Sequence, residues 1–183
     1  SSADIFLKNL AGLIEKKCGI PFTQEKISLY LSSIFHTSTL VSKMGYVDYL
    51  NLLENSNIVD DNEWKNVIKS LNISETYFFR DSSQLNFLQS ILLPQLIRER
   101  NTESRLSFWS AGCSTGEEAY TLGFILDSLL RDGSVPFRII GSDFNINSIQ
   151  FARQARYFSW SLRALPESKK TLYFQEDSDI CRA

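Results

Sequence analysis

The densest chemistry in this sequence lies in Gly112-Cys113-Ser114-Thr115-Gly116-Glu117-Glu118, a small-residue loop that follows a β-prone run and opens a helical pattern. Three chemistries use loops of this kind. A phosphate-cradling loop needs a lysine directly after its second glycine, and Glu117 stands there, where a carboxylate repels phosphate. A nucleophile elbow is matched literally, since Gly112 to Gly116 reads G-x-S-x-G. Its serine requires a histidine later in the chain, and the single histidine, His36, lies upstream, so esterase chemistry lacks its base. The third is a loop beneath a nucleoside, in which small residues let the backbone approach the ligand and an acidic residue ending the next strand takes two ribose hydroxyls. Asp143 occupies that position, and a carboxylate there can accept two charge-assisted hydrogen bonds from a diol.

The dinucleotide form of such a loop carries G-x-G-x-x-G and holds a pyrophosphate at a helix N-terminus. Here the middle glycine is absent, and Glu117 and Glu118 sit in the first helical turn, which disfavours an anion. A ligand without phosphates fits better, and S-adenosylmethionine carries a positive sulfonium and an ammonium. Plainer roles compete for the same residues. Ser114 with Glu117, or Thr115 with Glu118, has the spacing of a helix capping box. Asp143 can be a strand-end turn residue, Tyr77-Phe78-Phe79 core packing, and Arg80-Asp81 a surface pair. Periodicity leaves these alternatives open.

These residues need elements to position them. Apolar residues recur at helical spacing from Ala3 to about Asn72, as Phe6, Leu10, Leu13 and Ile14, then Ile27, Leu31, Ile34 and Phe35. Breaks at Cys18-Gly19-Ile20-Pro21, Gly45 and Asn55-Ser56-Asn57 divide this stretch into four or five short helices, the last near Asp60 to Lys69. Beyond Asn72 a polar-aromatic segment leads into an apolar helix over about Ser83 to Arg98, which Pro94 should bend. A strand carrying Leu106, Phe108 and Trp109 precedes the loop, and a helix over Glu117 to Leu130 follows it. A second strand, Phe137 to Ser142, ends at Asp143, and a helix from about Asn147 to Arg156 comes next. Strand, helix, strand, helix predicts an α/β fold with a parallel sheet, and a third sheet element is expected near Thr171 to Gln175.

Composition narrows the classes. The 183 residues are 43% apolar and 22% charged, with 19 basic against 21 acidic side chains and a net charge of −2. That is the profile of a globular chain with no general attraction to nucleic acid or anionic membrane. No apolar run approaches the ~18 residues of a spanning helix and the first residues do not form a signal peptide, so no direct membrane insertion and a cytoplasmic location are expected. The three cysteines, Cys18, Cys113 and Cys181, are far apart and the histidine is single, which gives no metal-ligand spacing.

The chain resembles the chemotaxis-receptor glutamate O-methyltransferases, the CheR family. The resemblance rests on SETYFFRD at 74–81, LSFWSAGCSTGEEAYTL at 106–122, Gly141-Ser142-Asp143, and Ala152-Arg153 followed by Tyr157, Leu162-Arg163, Leu165-Pro166 and Tyr173-Phe174. It implies a small all-helical N-terminal domain, 1–70, that meets methyl-accepting helices, and a Rossmann-like S-adenosylmethionine-dependent methyltransferase domain, 71–183. It also implies that Ser74, Thr76 and Arg80 border the cofactor, with Arg80 orienting the incoming carboxylate. Glu118 and Asp143 would hold the amino-acid and ribose parts, and the Gly112 to Gly116 backbone would lie beneath. Ser74 stands where the family usually has asparagine, with shorter reach.

The implied reaction suits this inventory, because transfer to a glutamate that is already anionic needs neither a histidine base nor a metal and leaves S-adenosylhomocysteine. Two departures qualify the partners. The family's second helix carries several arginines that dock acidic receptor helices, whereas here that face reads Leu31-Ser32-Ser33-Ile34-Phe35-His36-Thr37 with Lys26 as the nearby cation. The acceptor is therefore expected to be a chemoreceptor or another acidic-helix signalling protein. Members of that family also continue well beyond the equivalent of Ala183, so the sheet is expected to be incomplete, its edge covered by a dimer partner or a C-terminal fragment. The competing reading is a weak or inactive module of the same fold that binds the cofactor or a signalling partner.

Overall fold

A computed structural model describes residues 2–21, 39–58, 60–70, 75–100, 105–130, 133, 135–177 and 180–182, in two units, Ser1–Ile73 and Ser74–Ala183. The face carrying Ile27, Leu31, Ile34 and Phe35, together with Lys26, His36 and Ser74, lies outside the described residues.

In the first unit the described helices are α1 (Ser2–Cys18), α2 (Thr39–Met44), α3 (Tyr46–Asn55) and α4 (Asn62–Ser70). The helical spacing of Phe6, Leu10, Leu13 and Ile14 puts them on one stripe of α1, buried with Val41, Tyr49, Leu53, Trp64 and Val67. Gly19, at φ 68°, ends α1 by turning its amide back to the Glu15 carbonyl at 2.9 Å. The polar ends of the buried aromatics are satisfied, Tyr49 donating to Glu63 Oε1 at 2.8 Å and Trp64 Nε1 to the Leu53 carbonyl at 2.9 Å.

The second unit opens with α5 (Ser82–Phe87), a π-helical turn over Leu88–Leu92, and α6 (Leu93–Glu99). The disturbance expected at Pro94 takes the form of that turn. The proline has no amide to offer the preceding coil, and the Leu93 amide reaches back five residues to the Leu88 carbonyl. Strand β1 (Leu106–Ala111), helix α7 (Glu117–Leu129), strand β2 (Phe137–Ser142) and helix α8 (Ile146–Gln154) follow in the expected order. The strands run parallel, in register from Leu106 opposite Phe137 to Ala111 opposite Ser142. Leu106, Phe108 and Ile139 pack with Leu93, Ile125, Leu126 and Val135, so α5, α6 and α7 cover one sheet face. This is a Rossmann-like α/β arrangement with two parallel strands among the described residues. On the opposite face Trp109 is 71% and Ile140 42% exposed.

The element expected near Thr171 to Gln175 is not a further parallel strand. It divides into α9 (Glu167–Tyr173) and β4 (Gln175–Asp177), and β4 joins β3 (Arg156–Phe158) and β5 (Ile180–Arg182) in a separate antiparallel sheet of order β3-β5-β4. Three-residue strands carry too little period-2 pattern to be read locally, and β3 pairs with a strand more than twenty residues further on. Beneath lies an aromatic core. Phe78 meets Tyr157 edge-on at 4.8 Å and Phe174 at 5.0 Å, joined by Phe124, Leu162 and Leu165.

Candidate functional site

The loop after β1 is held in one shape by its backbone. Gly112, Ser114 and Gly116 all take positive φ (78°, 49° and 99°), folding the chain sharply from the strand end into α7. The Gly112 and Cys113 amides both donate to the Ser142 carbonyl, at 2.8 and 2.9 Å, which ties the loop to the end of β2. Gly116 has a steric requirement too. A Cβ there would stand 2.8 Å from Ala152 Cβ and 2.9 Å from the Tyr157 hydroxyl. At Gly112 a Cβ would meet open space, so the backbone is bare on that side.

Asp143 fastens the same corner. Its Oδ2 accepts from the Ser114 amide and its Oδ1 from the Asn145 amide, each at 2.8 Å. The strand-end role left open by sequence is therefore present. Two bonds do not exhaust a carboxylate with about four lone-pair sites, so capacity remains for a diol. Asn145 in turn caps α8 by accepting from the Asn147 amide at 3.0 Å.

The two glutamates that open α7 diverge. Glu118 is exposed and its Oε1 accepts from Ser110 Oγ at 2.6 Å. Glu117 is buried, with Thr115 Oγ1 donating to its Oε2 at 2.6 Å and Ser161 Oγ to its Oε1 at 3.2 Å. Neither capping box forms, because the N-cap position belongs to Gly116, which has no side chain. Adjacent residues on a helix point about 100° apart, and this sends one carboxylate inward and leaves the other at the surface.

Around Glu117 lies a buried network that sequence reasoning did not single out. Tyr157 donates to the Thr115 carbonyl at 2.8 Å, and Thr121 Oγ1 donates to the Glu117 carbonyl at 2.7 Å while accepting from the Phe79 amide at 3.1 Å. Burial, and then the nearby Glu117 charge, push the Tyr157 phenol well above its ordinary value. A raised folded value contributes stability that is intact below the unfolded tyrosine value of about 10 and lost as pH rises further. Of the seven tyrosines, Tyr157 should ionise only as the second unit unfolds, seen as late phenolate absorbance coincident with loss of circular dichroism. Reversible titration of all of them with the dichroism unchanged would refute this.

The segment carrying Thr76 and Arg80 is fixed by its aromatic neighbour. Phe78 is fully buried, its amide donates to the Ser161 carbonyl at 2.9 Å, and Phe79 and Asp81 take positive φ on either side of Arg80. Thr76 is half-buried. Arg80 donates to the Glu75 carbonyl and lies 3.8 Å from Asp81 Oδ2, both side chains largely exposed, so the surface-pair geometry is present as well. Gly112, Gly116 and Asp143 thus form one hydrogen-bonded corner, with Glu118 beside it in the first turn of α7. Thr76 and Arg80 make no hydrogen bond to that corner among the described residues. Their segment is joined to it through Phe79–Thr121–Glu117 and Phe78–Ser161–Glu117. No sequence signal pointed to Ser161 or Thr121, whose partners are 42 to 44 residues away.

The corner fits a cationic nucleoside. Ser114 Oγ is buried without a partner among the described residues, Gly112 is open, and the carboxylates nearby are Glu118 and Asp143. A positive ammonium and sulfonium suit these, and a phosphate does not. No group of three or more metal-ligating side chains occurs among the described residues. No helix among them is long and apolar enough to cross a membrane.

A family model described as "CheR methyltransferase, SAM binding domain" matches residues 74–182. The chain is 28% identical over 177 residues to the chemotaxis protein methyltransferase of Borreliella burgdorferi, covering 94% of this chain and 62% of that protein. It is 35% identical over 136 residues to chemotaxis protein methyltransferase 2 of Vibrio cholerae, covering 74% and 45%. It is 27% identical over 172 residues to the chemotaxis protein methyltransferase of Escherichia coli, covering 94% and 57%. The chain spans about 45 to 62% of the length of these relatives.

Proposed function

The chain belongs to the CheR methyltransferase family, and on that premise we propose that it transfers a methyl group from S-adenosylmethionine to glutamate side-chain carboxylates of a protein acceptor, a chemoreceptor in the first instance. One observation carries the reading. Two carboxylates, Asp143 and Glu118, flank an open glycine corner at the carboxyl ends of two parallel strands, where a second glutamate in the same helical turn opposes a phosphate ligand. Asp143 would hold the ribose diol, Glu118 the ammonium of the amino-acid part, and Ser114 Oγ, buried and unpaired, has a donor and acceptors to give.

S-adenosylmethionine, when bound, supplies a methyl carbon whose bond to sulfur breaks as a glutamate oxygen forms the new bond, the electron pair leaving with sulfur. The acceptor is ionised at neutral pH, so the protein's task is alignment and exclusion of water rather than proton transfer. Arg80 would orient the acceptor carboxylate as a two-pronged donor. Arg80→Ala should then lower the rate of methyl incorporation into a glutamate-bearing receptor helix about 100-fold or more while changing S-adenosylhomocysteine affinity only a few-fold. Equal loss of both, from initial rates and calorimetry, would remove Arg80 from that role. Calorimetric titration with S-adenosylhomocysteine against adenosine diphosphate tests the proposal as a whole, and preference for the phosphate compound would overturn it. Binding without transfer to any glutamate acceptor would favour the cofactor-binding module instead.

A further inference from the structure

We propose that Arg163 is a positioning residue that sets where Arg80 stands, acting through Glu75 and Tyr77; this rests on the reading of Arg80 given above. The guanidinium carbon of Arg163 lies 3.8 Å from the centre of the Tyr77 ring and 4.5 Å from that of Trp160. Its Nη2 bonds Glu75 Oε1 at 2.9 Å, and its Nη1 donates to the Trp160 carbonyl at 2.9 Å. Two rings and both ends of the fork are engaged at once. An ordinary surface ion pair adds almost nothing to stability. Here Glu75 is largely exposed, and what holds the geometry is the cation itself, packed against aromatic rings with only 22% of its side chain exposed.

The anchor of this clamp is the 3₁₀ turn Ser159–Leu162, in which Trp160 and Ser161 lie. That turn also holds the Phe78 amide through the Ser161 carbonyl. The segment from Glu75 to Phe78 is therefore gripped at three points by residues 160–163: an ion pair at Glu75, a stacked ring at Tyr77, and a hydrogen bond from the Phe78 amide. Arg80 donates its own hydrogen bond to the Glu75 carbonyl, so a shift of Glu75 carries Arg80 with it. A lysine at 163 could keep the charge near Glu75, but it lacks the plane that lies against the rings and the second prong that reaches Trp160.

The test uses the full chain labelled with [15N]arginine, following the Arg80 Nε–Hε signal, assigned by its loss in Arg80→Ala. Arg163→Ala and Glu75→Ala should each move that signal, and the double variant should move it no further than the larger single change, because both act along one line. Arg163→Lys should give an intermediate shift, which covers the case where Arg163→Ala fails to fold. S-adenosylhomocysteine affinity should stay within about threefold in all of them, since the residue acts on Arg80 and not on the cofactor. An unmoved Arg80 signal in folded Arg163→Ala or Arg163→Lys protein overturns the proposal, as do additive shifts in the double variant or a larger loss of affinity. If the wild-type chain binds no S-adenosylhomocysteine, the cofactor reading falls and the Arg80 signal still decides the positioning claim.

Discussion

Replacing Asp143 by alanine should reduce S-adenosylhomocysteine affinity by two orders of magnitude or more, the largest loss of cofactor affinity expected from a single side chain here. Micromolar binding corresponds to about 8 kcal/mol, and removing two charge-assisted hydrogen bonds to a ribose diol forfeits about 3 kcal/mol or more. The structure complicates the variant, because the same carboxylate accepts from the Ser114 and Asn145 amides and its loss also loosens the corner. Two measurements separate the effects. The melting temperature without ligand reads the structural part, and calorimetry on the folded fraction reads the ligand part. Asp143→Asn sharpens the comparison, since its amide retains one acceptor oxygen but sets an NH2 against the other donor. Undiminished affinity in folded Asp143→Ala would remove the diol role and leave Asp143 as a strand-end clasp alone.

The largest effect on stability should come from Gly116→Ala, and Gly112→Ala is its natural control. Both positions take positive φ, which costs a residue with a Cβ about 1 to 2 kcal/mol. At Gly112 nothing lies within 4 Å of the added methyl, so that strain is the whole cost. At Gly116 the methyl would meet Ala152 Cβ at 2.8 Å and the Tyr157 hydroxyl at 2.9 Å, which adds overpacking and breaks the geometry of the Tyr157–Thr115 bond. Strain and overpacking together amount to about 2 to 5 kcal/mol. Thermal unfolding should therefore place Gly116→Ala far below Gly112→Ala. Similar melting points for the two would mean that α8 and Tyr157 give way easily.

The parts of this fold that were legible in sequence are those decided locally. Leu106, Phe108 and Trp109, the glycine loop and the helical spacing beyond Glu117 each lie within a few residues of what they specify, and the parallel order follows from their alternation. The first helix was legible for the same reason, from Phe6, Leu10, Leu13 and Ile14. What could not be read was decided by partners far along the chain. Glu117 and Glu118 are identical in type and adjacent, and only the place of Ser161 and Thr115 shows which one is buried. The bland and the chemical readings of Asp143 are both compatible with one carboxylate, so no local pattern could separate them. Strands of three residues carry too little pattern to be read, and β3 finds β5 more than twenty positions away, so the antiparallel sheet went unread and the expected third sheet element became a helix and a strand of a different sheet.

The exposed indole of Trp109 has a practical consequence. Its Nε1 donates to Ser142 Oγ at 2.9 Å, and the carbonyl of that same serine anchors the Gly112 and Cys113 amides. A fluorophore is thus hydrogen-bonded to the serine that anchors the glycine loop while its ring faces water. Occupancy next to Asp143 should be readable, without any dye, as a change in emission colour or quenching that Trp109→Phe abolishes while the emission of Trp64 and Trp160 remains.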